Sequence, residues 1–170
     1  KLHEDNNLID GTTLGDSSMD STRRTLLLKY TRGLNSDNSV RQGVGDPIHS
    51  SPRLLTYGCK GYNAQRECLD SNGQDNADQY GMIGTNEGFV QMFDTSNGQE
   101  VFGFMPEALL KNIGKLYDNA KSTDQKPHPY GMDNTVTLWV NDINRNGVIY
   151  GDPNATPQTL SGLNTGEGIY

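Results

Sequence analysis

Tyr80–Pro106, YGMIGTNEGFVQMFDTSNGQEVFGFMP, reads as three short strands separated by two glycine-closed turns. Tyr80–Gly84 is apolar enough for an inner strand, and Thr85-Asn86-Glu87-Gly88 turns the chain back. Beyond it Phe89, Gln91 and Phe93 alternate with Val90, Met92 and Asp94, the period of a strand with two faces. Thr95-Ser96-Asn97-Gly98 makes the second turn, because Asn-Gly tolerates the positive φ that tight hairpins need. Gln99–Met105 returns as the third strand. Such a meander cannot bury its faces alone, so the pattern predicts one unit of a larger β assembly.

Downstream, Pro106 suits the first turn of a helix. Leu109, Leu110, Ile113, Leu116 and Tyr117 then share one face, predicting a single amphipathic helix to about Asn119. A loop, Lys121–Pro129, leads toward Thr135–Val140, TVTLWV, which has the strongest β propensity in the chain. Trp139 is expected to pack in the core there, and the tail from Pro153 to Tyr170 is mostly turn-forming. Upstream, Asp46–Tyr57 is predicted to be extended and to enter a strand, since Pro47 and Pro52 bar a helix. Thr22–Thr31 places Leu26, Leu27 and Tyr30 at helical spacing and stops at Gly33. Residues 1–21 are polar and read as a linker, 22–45 as a short helix and loop, and 46–170 as the β region.

The 170 residues suffice for one domain or a piece of a larger one. Hydrophobic residues make up 32%, with 20 Gly, 7 Pro and a mean hydropathy of −0.72, which suits a loop-rich β protein. No run of 18 apolar residues exists, so a membrane-spanning helix is not expected. A leader peptide is not evident at Lys1-Leu2-His3-Glu4-Asp5, although a processed segment would look the same. The net charge of −7, with 14 scattered basic residues, argues against nucleic acid as a partner.

Cys59 and Cys68 lie in a polar loop, GCKGYNAQRECLD, with neither a CxxC pair nor neighbouring histidines to hold zinc. The loop offers no burial for free thiols, so a local disulfide is predicted, the alternative being two reduced surface thiols. It implies an oxidising compartment.

Asp142-x-Asn144-x-Asn146-Gly147 is the sharpest chemical motif. Calcium loops of the EF-hand type place oxygen ligands at positions one, three and five, glycine at six and a backbone carbonyl at seven. Here these are Asp142, Asn144, Asn146, Gly147 and Val148, with Ile149 as the apolar anchor. Tyr150 stands at position nine and Pro153 at twelve, so the usual bidentate Glu is missing, and Asp152 is its expected substitute. Two formal charges imply a weak site, about 10⁻⁴–10⁻³ M. The alternative is an Asx-rich turn whose side chains bond their own backbone. Asp70–Asp78 resembles a second site, but its glycine comes too early and a solvated polar loop is expected. His49 beside Ser50 and Ser51 lacks the elbow of a nucleophile, since neighbours in an extended segment face opposite ways. Asn154-Ala155-Thr156 fits a glycosylation triplet that chance also produces.

Five blocks in order resemble one family. Gly43–Pro52, GVGDPIHSSP, resembles the Gly-Asp-x-x-His-Ser-Ser-Pro strand that opens the C-terminal β-propeller of PilY/PilC-type type IV pilus tip adhesin and assembly proteins. Leu27–Gly33, LLKYTRG, is similar to the helical Tyr-x-Arg-Gly segment just before it. Gly84–Pro106 is similar to the family's first blade, and the helix after it, the His128-Pro129-Tyr130 segment and Asp142–Gly147 follow in the family's order. The resemblance runs from Thr22 to Tyr170.

It implies a mainly β fold, the opening blades of an incomplete quinoprotein-like propeller with one or two short helices. It implies a secreted, non-enzymatic protein that reaches the pilus tip and cell surface through the periplasm of a Gram-negative bacterium. The implied partners are minor pilins, a host-cell or abiotic surface, and the remainder of the same propeller. The implied roles are pilus assembly, attachment and twitching motility, with calcium held by Asp142, Asn144, Asn146 and the Val148 carbonyl tuning extension against retraction. No Arg-Gly-Asp integrin motif appears. Blades take about 40–45 residues, so this chain supplies at most about three of the four or more that close a ring. It is expected to be an arc, cut at Tyr170 where a new apolar segment begins. Two alternatives share the architecture. A quinone-dependent dehydrogenase would need a Cys-Cys pair and a catalytic carboxylate that the sequence does not offer, and an ion-free surface scaffold would differ only at the Asp142 loop.

Overall fold

The structure is a computed structural model and describes residues 1–41, 43, 45–65, 67–119, 123, 127–143, 149 and 168–169. The chain divides into two compact units. The first comprises Lys1–Ser50, Gly84–Val90 and Gly103–Asn134, and the second Ser51–Ile83, Gln91–Phe102 and Thr135–Tyr170.

Four strands form one open antiparallel sheet in simple meander order: β1 (Arg53–Cys59), β2 (Ala77–Gly84), β3 (Val90–Asp94) and β4 (Glu100–Phe104). The three strands expected between Tyr80 and Met105 are β2, β3 and β4, and β1 grows out of the segment that Pro47 and Pro52 keep extended. β1 and β2 pair from Arg53↔Met82 to Thr56↔Gln79, then shift so that Gly58 faces Asp78. Tyr57 is the extra residue of that bulge, and Gly58 follows it at φ 148. The second hairpin closes through Asp94 N–H to the Gln99 carbonyl at 2.9 Å, with Gly98 at φ 71 as its sequence requires. Asp94 Oδ1 accepts from the Ser96 N–H and hydroxyl, an Asx turn that locks the corner and holds the Asp94 carboxyl below its ordinary value. β4 is exposed along its whole length.

The core of the first unit is built on α1 (Ser21–Thr31), whose Leu27 and Leu28 are fully buried. Asp20 caps α1 by accepting the Arg23 N–H at 2.7 Å, and Gly33 at φ 71 ends it as expected. Ile9, Leu14, Leu110 and Ile113 complete the cluster. Each such side chain contributes about 1.5–3 kcal/mol on burial. Residues 1–20 hold no regular helix or strand, and Ile9 and Leu14 fold into this core. Arg24 ties the segment down by donating to the carbonyls of Glu4, Asn6 and Ile9 at 2.7–2.9 Å.

Two expectations are corrected. The single helix after Pro106 is two, α2 (Glu107–Leu110) and α3 (Ile113–Asp118). Asn112 N–H bonds back three residues to Leu109 at 3.0 Å, tightening the chain where the Lys111 carbonyl meets Gly15. Of Thr135–Val140, only Val140 enters a strand, β5 (Val140–Asn141), which pairs with β6 (Gly168–Ile169). Trp139 is 67% exposed instead of core, because β propensity takes effect only where a neighbouring strand provides a surface to pack on.

Candidate functional site

The expected calcium loop is only partly within the described residues. Asp142 directly follows β5 and is half-buried. Asn144, Asn146, Gly147, Val148 and Asp152 lie outside the described residues, as does Asn154-Ala155-Thr156. Ile149, the expected apolar anchor, is buried and its N–H donates to the Tyr57 carbonyl of the β1 bulge at 2.7 Å. Among the described residues no three His, Cys, Asp or Glu side chains come together as a metal-binding group.

The other singled-out residues have structural placements. Cys59 and Cys68 form a disulfide, with Cα atoms 5.8 Å apart. Asn76 supports it, its N–H donating to the Cys68 carbonyl at 3.1 Å and its side chain to the Gly61 carbonyl at 2.9 Å. Asp70 accepts the N–H groups of Gln74 and Asn72 at 2.9 and 2.8 Å, which pull its carboxyl below the ordinary value. This is the polar turn expected there. Ser50 is buried, and its hydroxyl accepts the Gly84 N–H at 2.9 Å. His49 is exposed and pairs with Asp133 at 2.7 Å, while the Ser51 N–H donates to the Thr135 hydroxyl.

The most elaborated polar geometry lies in the first unit, at the turn in the middle of the deciding stretch. Thr85 is wholly buried and Asn86 is 3% exposed, unusual for a hairpin turn. Thr85 exchanges N–H and carbonyl bonds with Phe89 and Gly88, at 2.8 and 2.9 Å. Its carbonyl also takes the Met132 N–H at 3.0 Å, and the Asn86 N–H donates to the Asp46 carbonyl at 2.7 Å. Close packing of backbones makes this possible. A methyl on Gly131 would sit 2.4 Å from the Gly88 nitrogen, and Gly88 itself has φ 101.

Beside this turn opens a recess of about 400 Å³ lined by Tyr30, Arg41, Asp46, Asn86, Glu87, Leu116, Tyr117, Asn119 and His128. The Arg41 guanidinium lies 4.2 Å over the Tyr30 ring and reaches Glu87 Oε2 at 3.3 Å. The Tyr30 hydroxyl donates to Glu87 Oε1 at 3.2 Å. Burial pushes the Tyr30 phenol up, and the Glu87 carboxylate adds to that shift. Tyr117 meets Tyr30 edge-on at 5.4 Å and carries Arg23 on its own ring at 4.9 Å. The charges of the recess thus largely compensate one another, and the stacked Arg41 gains about 0.5–2 kcal/mol from its aromatic partner. Two buried polar atoms there have no hydrogen-bond partner among the described residues, Arg41 Nε and Asn86 Oδ1. An unmet buried donor or acceptor costs about 1–3 kcal/mol.

Sequence reasoning missed this constellation. Arg41, Asn86, Asn119 and His128 come from segments far apart in the chain, and no spacing signals that they meet. Asn86 and Glu87 were read only as turn formers, although a Glu next to a turn glycine is one hint that the turn faces something.

No protein-family model matches the chain, and no curated protein or solved structure matches it.

Proposed function

We propose that this chain is a calcium-binding propeller segment of a type IV pilus tip adhesin and assembly factor, acting in pilus biogenesis, attachment and twitching motility. The reading rests on the ordered sequence blocks between Thr22 and Tyr170. The observation that carries it furthest is the sheet β1–β4, a four-stranded antiparallel meander like the blade of a propeller. Its edge strand β4 leaves Val101, Phe102 and Phe104 49–52% exposed, and Trp139 lies open at 67%. Large apolar groups in that state suit a blade whose neighbours come from the remainder of the same propeller. The disulfide fits passage through an oxidising periplasm to the cell surface. In this reading the protein is not an enzyme, and its partners are minor pilins and the surface to which the pilus attaches.

Asp142, Asn144, Asn146, the Val148 carbonyl and Asp152 would hold calcium just beyond β5. The ion would bring anionic and carbonyl oxygens together and order the loop that Ile149 anchors. Calcium titration of the full chain, followed by thermal unfolding, tests this. At about 10 mM calcium a site of 10⁻⁴–10⁻³ M stabilises by about 1.4–2.7 kcal/mol, or roughly 3–10 °C in a chain of this size. Asp142→Ala is expected to abolish the rise. Equal melting of the wild type with calcium and with chelator would refute the calcium assignment and favour an ion-free scaffold.

A further inference from the structure

We propose that the outer edge of β4 pairs with β4 of a second copy of this chain, antiparallel and centred on Phe102, joining the two sheets into one. The inference goes beyond the propeller reading and does not rest on it. Stacked blades meet through sheet faces, whereas this contact runs along a strand edge.

The direction of the β4 backbone follows from the corner before it. The Asp94 carbonyl accepts the Gly98 N–H at 2.8 Å, and the Asp94 N–H donates to the Gln99 carbonyl at 2.9 Å, two residues facing one across a bulge. Gln99 thus turns its backbone toward β3. Alternate residues of an antiparallel strand point to opposite sides, so Val101 and Gly103 also turn toward β3, while Glu100, Phe102 and Phe104 turn outward. The same register sets Val101 opposite Met92, and both line one recess on the sheet. It also puts Glu100 on the other face with Gln91, whose amide reaches it at 3.4 Å. β4 ends the order of the sheet, so no strand of the sheet receives the outward groups.

A row of open backbone donors and acceptors is a template for another strand. β4 lacks the usual safeguards of such an edge. Its sequence, EVFGF, holds no Lys and no Pro, and all five residues are exposed. Symmetry selects a second copy as the occupant. Outward groups recur at 100, 102 and 104, so a two-fold axis at Phe102 sets that residue against itself and Glu100 against Phe104 of the second copy. Each of these pairs exchanges both backbone bonds. A centre at Glu100 would oppose two carboxylates in a chain of net charge −7. A centre at Phe104 would set Phe102 against Pro106, which has no N–H to give. With the axis at Phe102, the two half-exposed phenyl rings become a cross-strand aromatic pair, and Val101 faces Gly103 of the second copy, which leaves it room.

Sedimentation velocity on the full chain over a range of concentrations tests the proposal, and a reversible monomer–dimer equilibrium is expected. Phe102→Lys sets two ammonium groups opposite each other and is expected to weaken dimerisation about tenfold or more. Its circular dichroism should be unchanged, because the side chain it replaces is 49% exposed. Cross-linking under mild oxidation reads the register, since both native cysteines are already paired. Phe102→Cys is expected to form a disulfide with its own counterpart, because Cα atoms of a hydrogen-bonded pair lie about 5.5 Å apart. Glu100→Cys, roughly 14 Å from its counterpart, is expected not to, whereas mixing it with Phe104→Cys should give the mixed dimer. A monomer at every concentration overturns the proposal. So does a dimer that Phe102→Lys leaves intact, or a Phe102→Cys variant that cross-links no faster than Glu100→Cys. Assembly continuing past the dimer overturns it as well, because a two-fold contact closes. None of these readouts involves calcium, so failure of the edge contact and failure of the calcium reading are separately visible.

Discussion

Replacing Gly131 by alanine is expected to destabilise the first unit by about 2–4 kcal/mol, through contact alone. Gly131 has no left-handed φ, so its backbone accepts alanine without strain. The added Cβ would stand 2.4 Å from the Gly88 nitrogen, 2.5 Å from its Cα and 2.7 Å from the Asn86 carbonyl oxygen. Real Cβ atoms essentially never approach within 3.0 Å, and all three neighbours are backbone, which cannot swing aside as a side chain can. The turn is also held from the other directions, by the Gly88 N–H on Thr85 and the Asn86 N–H on Asp46. Relief therefore requires moving residues 130–132 away, with loss of the Met132 bond to the Thr85 carbonyl. Overpacking costs about 1–3 kcal/mol and the lost bond about 0.5–1.5 kcal/mol. Equilibrium urea unfolding by circular dichroism measures the difference. Gly81→Ala in β2 is the control, since nothing lies within 4 Å of its would-be Cβ, and it is expected to be neutral or stabilising by up to about 1 kcal/mol. If Gly131→Ala matches Gly81→Ala, the backbone contact at the turn is not what the structure describes.

Paired Cys59→Ser and Cys68→Ser substitutions open a loop of sequence separation 9 and are expected to cost about 2–3 kcal/mol by loop entropy. Alkylation before reduction should add no mass, and two labelled thiols without reductant would rule out the bridge. Tyr80, beside Tyr57 in the second unit, has its phenol pushed up to about 12 by burial and then by Asp78. The neutral phenol is therefore favoured by folding. Its contribution is full below the ordinary value of 10.0 and is lost as pH rises toward 12. Phenolate absorbance should show a tyrosine titrating late, and that late component should vanish in Tyr80→Phe; an unchanged titration in the variant would refute the assignment.

Local chemistry made a large part of the fold legible. Alternation along Phe89–Asp94 and glycines at positions that need positive φ announce the meander, because each feature acts over two to five residues. The disulfide was legible by elimination, a polar loop being a poor place for free thiols. Other features depend on partners distant in sequence. Ile9, next to the exposed Leu8, and Leu14 are sparse apolar residues in a polar stretch, and only contact with α1 turns them into core. The amphipathic period after Pro106 is continuous, yet the helix breaks at Lys111–Asn112 where Gly15 meets the Lys111 carbonyl. Trp139 has the propensity of a core strand and lacks the setting of one, and it stays exposed.

From residue order alone come the strands of Tyr80–Pro106, their turns, the first helix with its stop at Gly33, and a calcium-type spacing at Asp142–Gly147. Periodicity, capping and turn geometry are short-range effects that a chain carries wherever it goes. The buried Thr85-Asn86 turn, the Gly131 contact and the recess that joins Arg41 to Asn86 and Glu87 exist only after folding. They are made by groups up to 98 positions apart, from Tyr30 to His128, and no local preference encodes which distant backbone will come to rest against them.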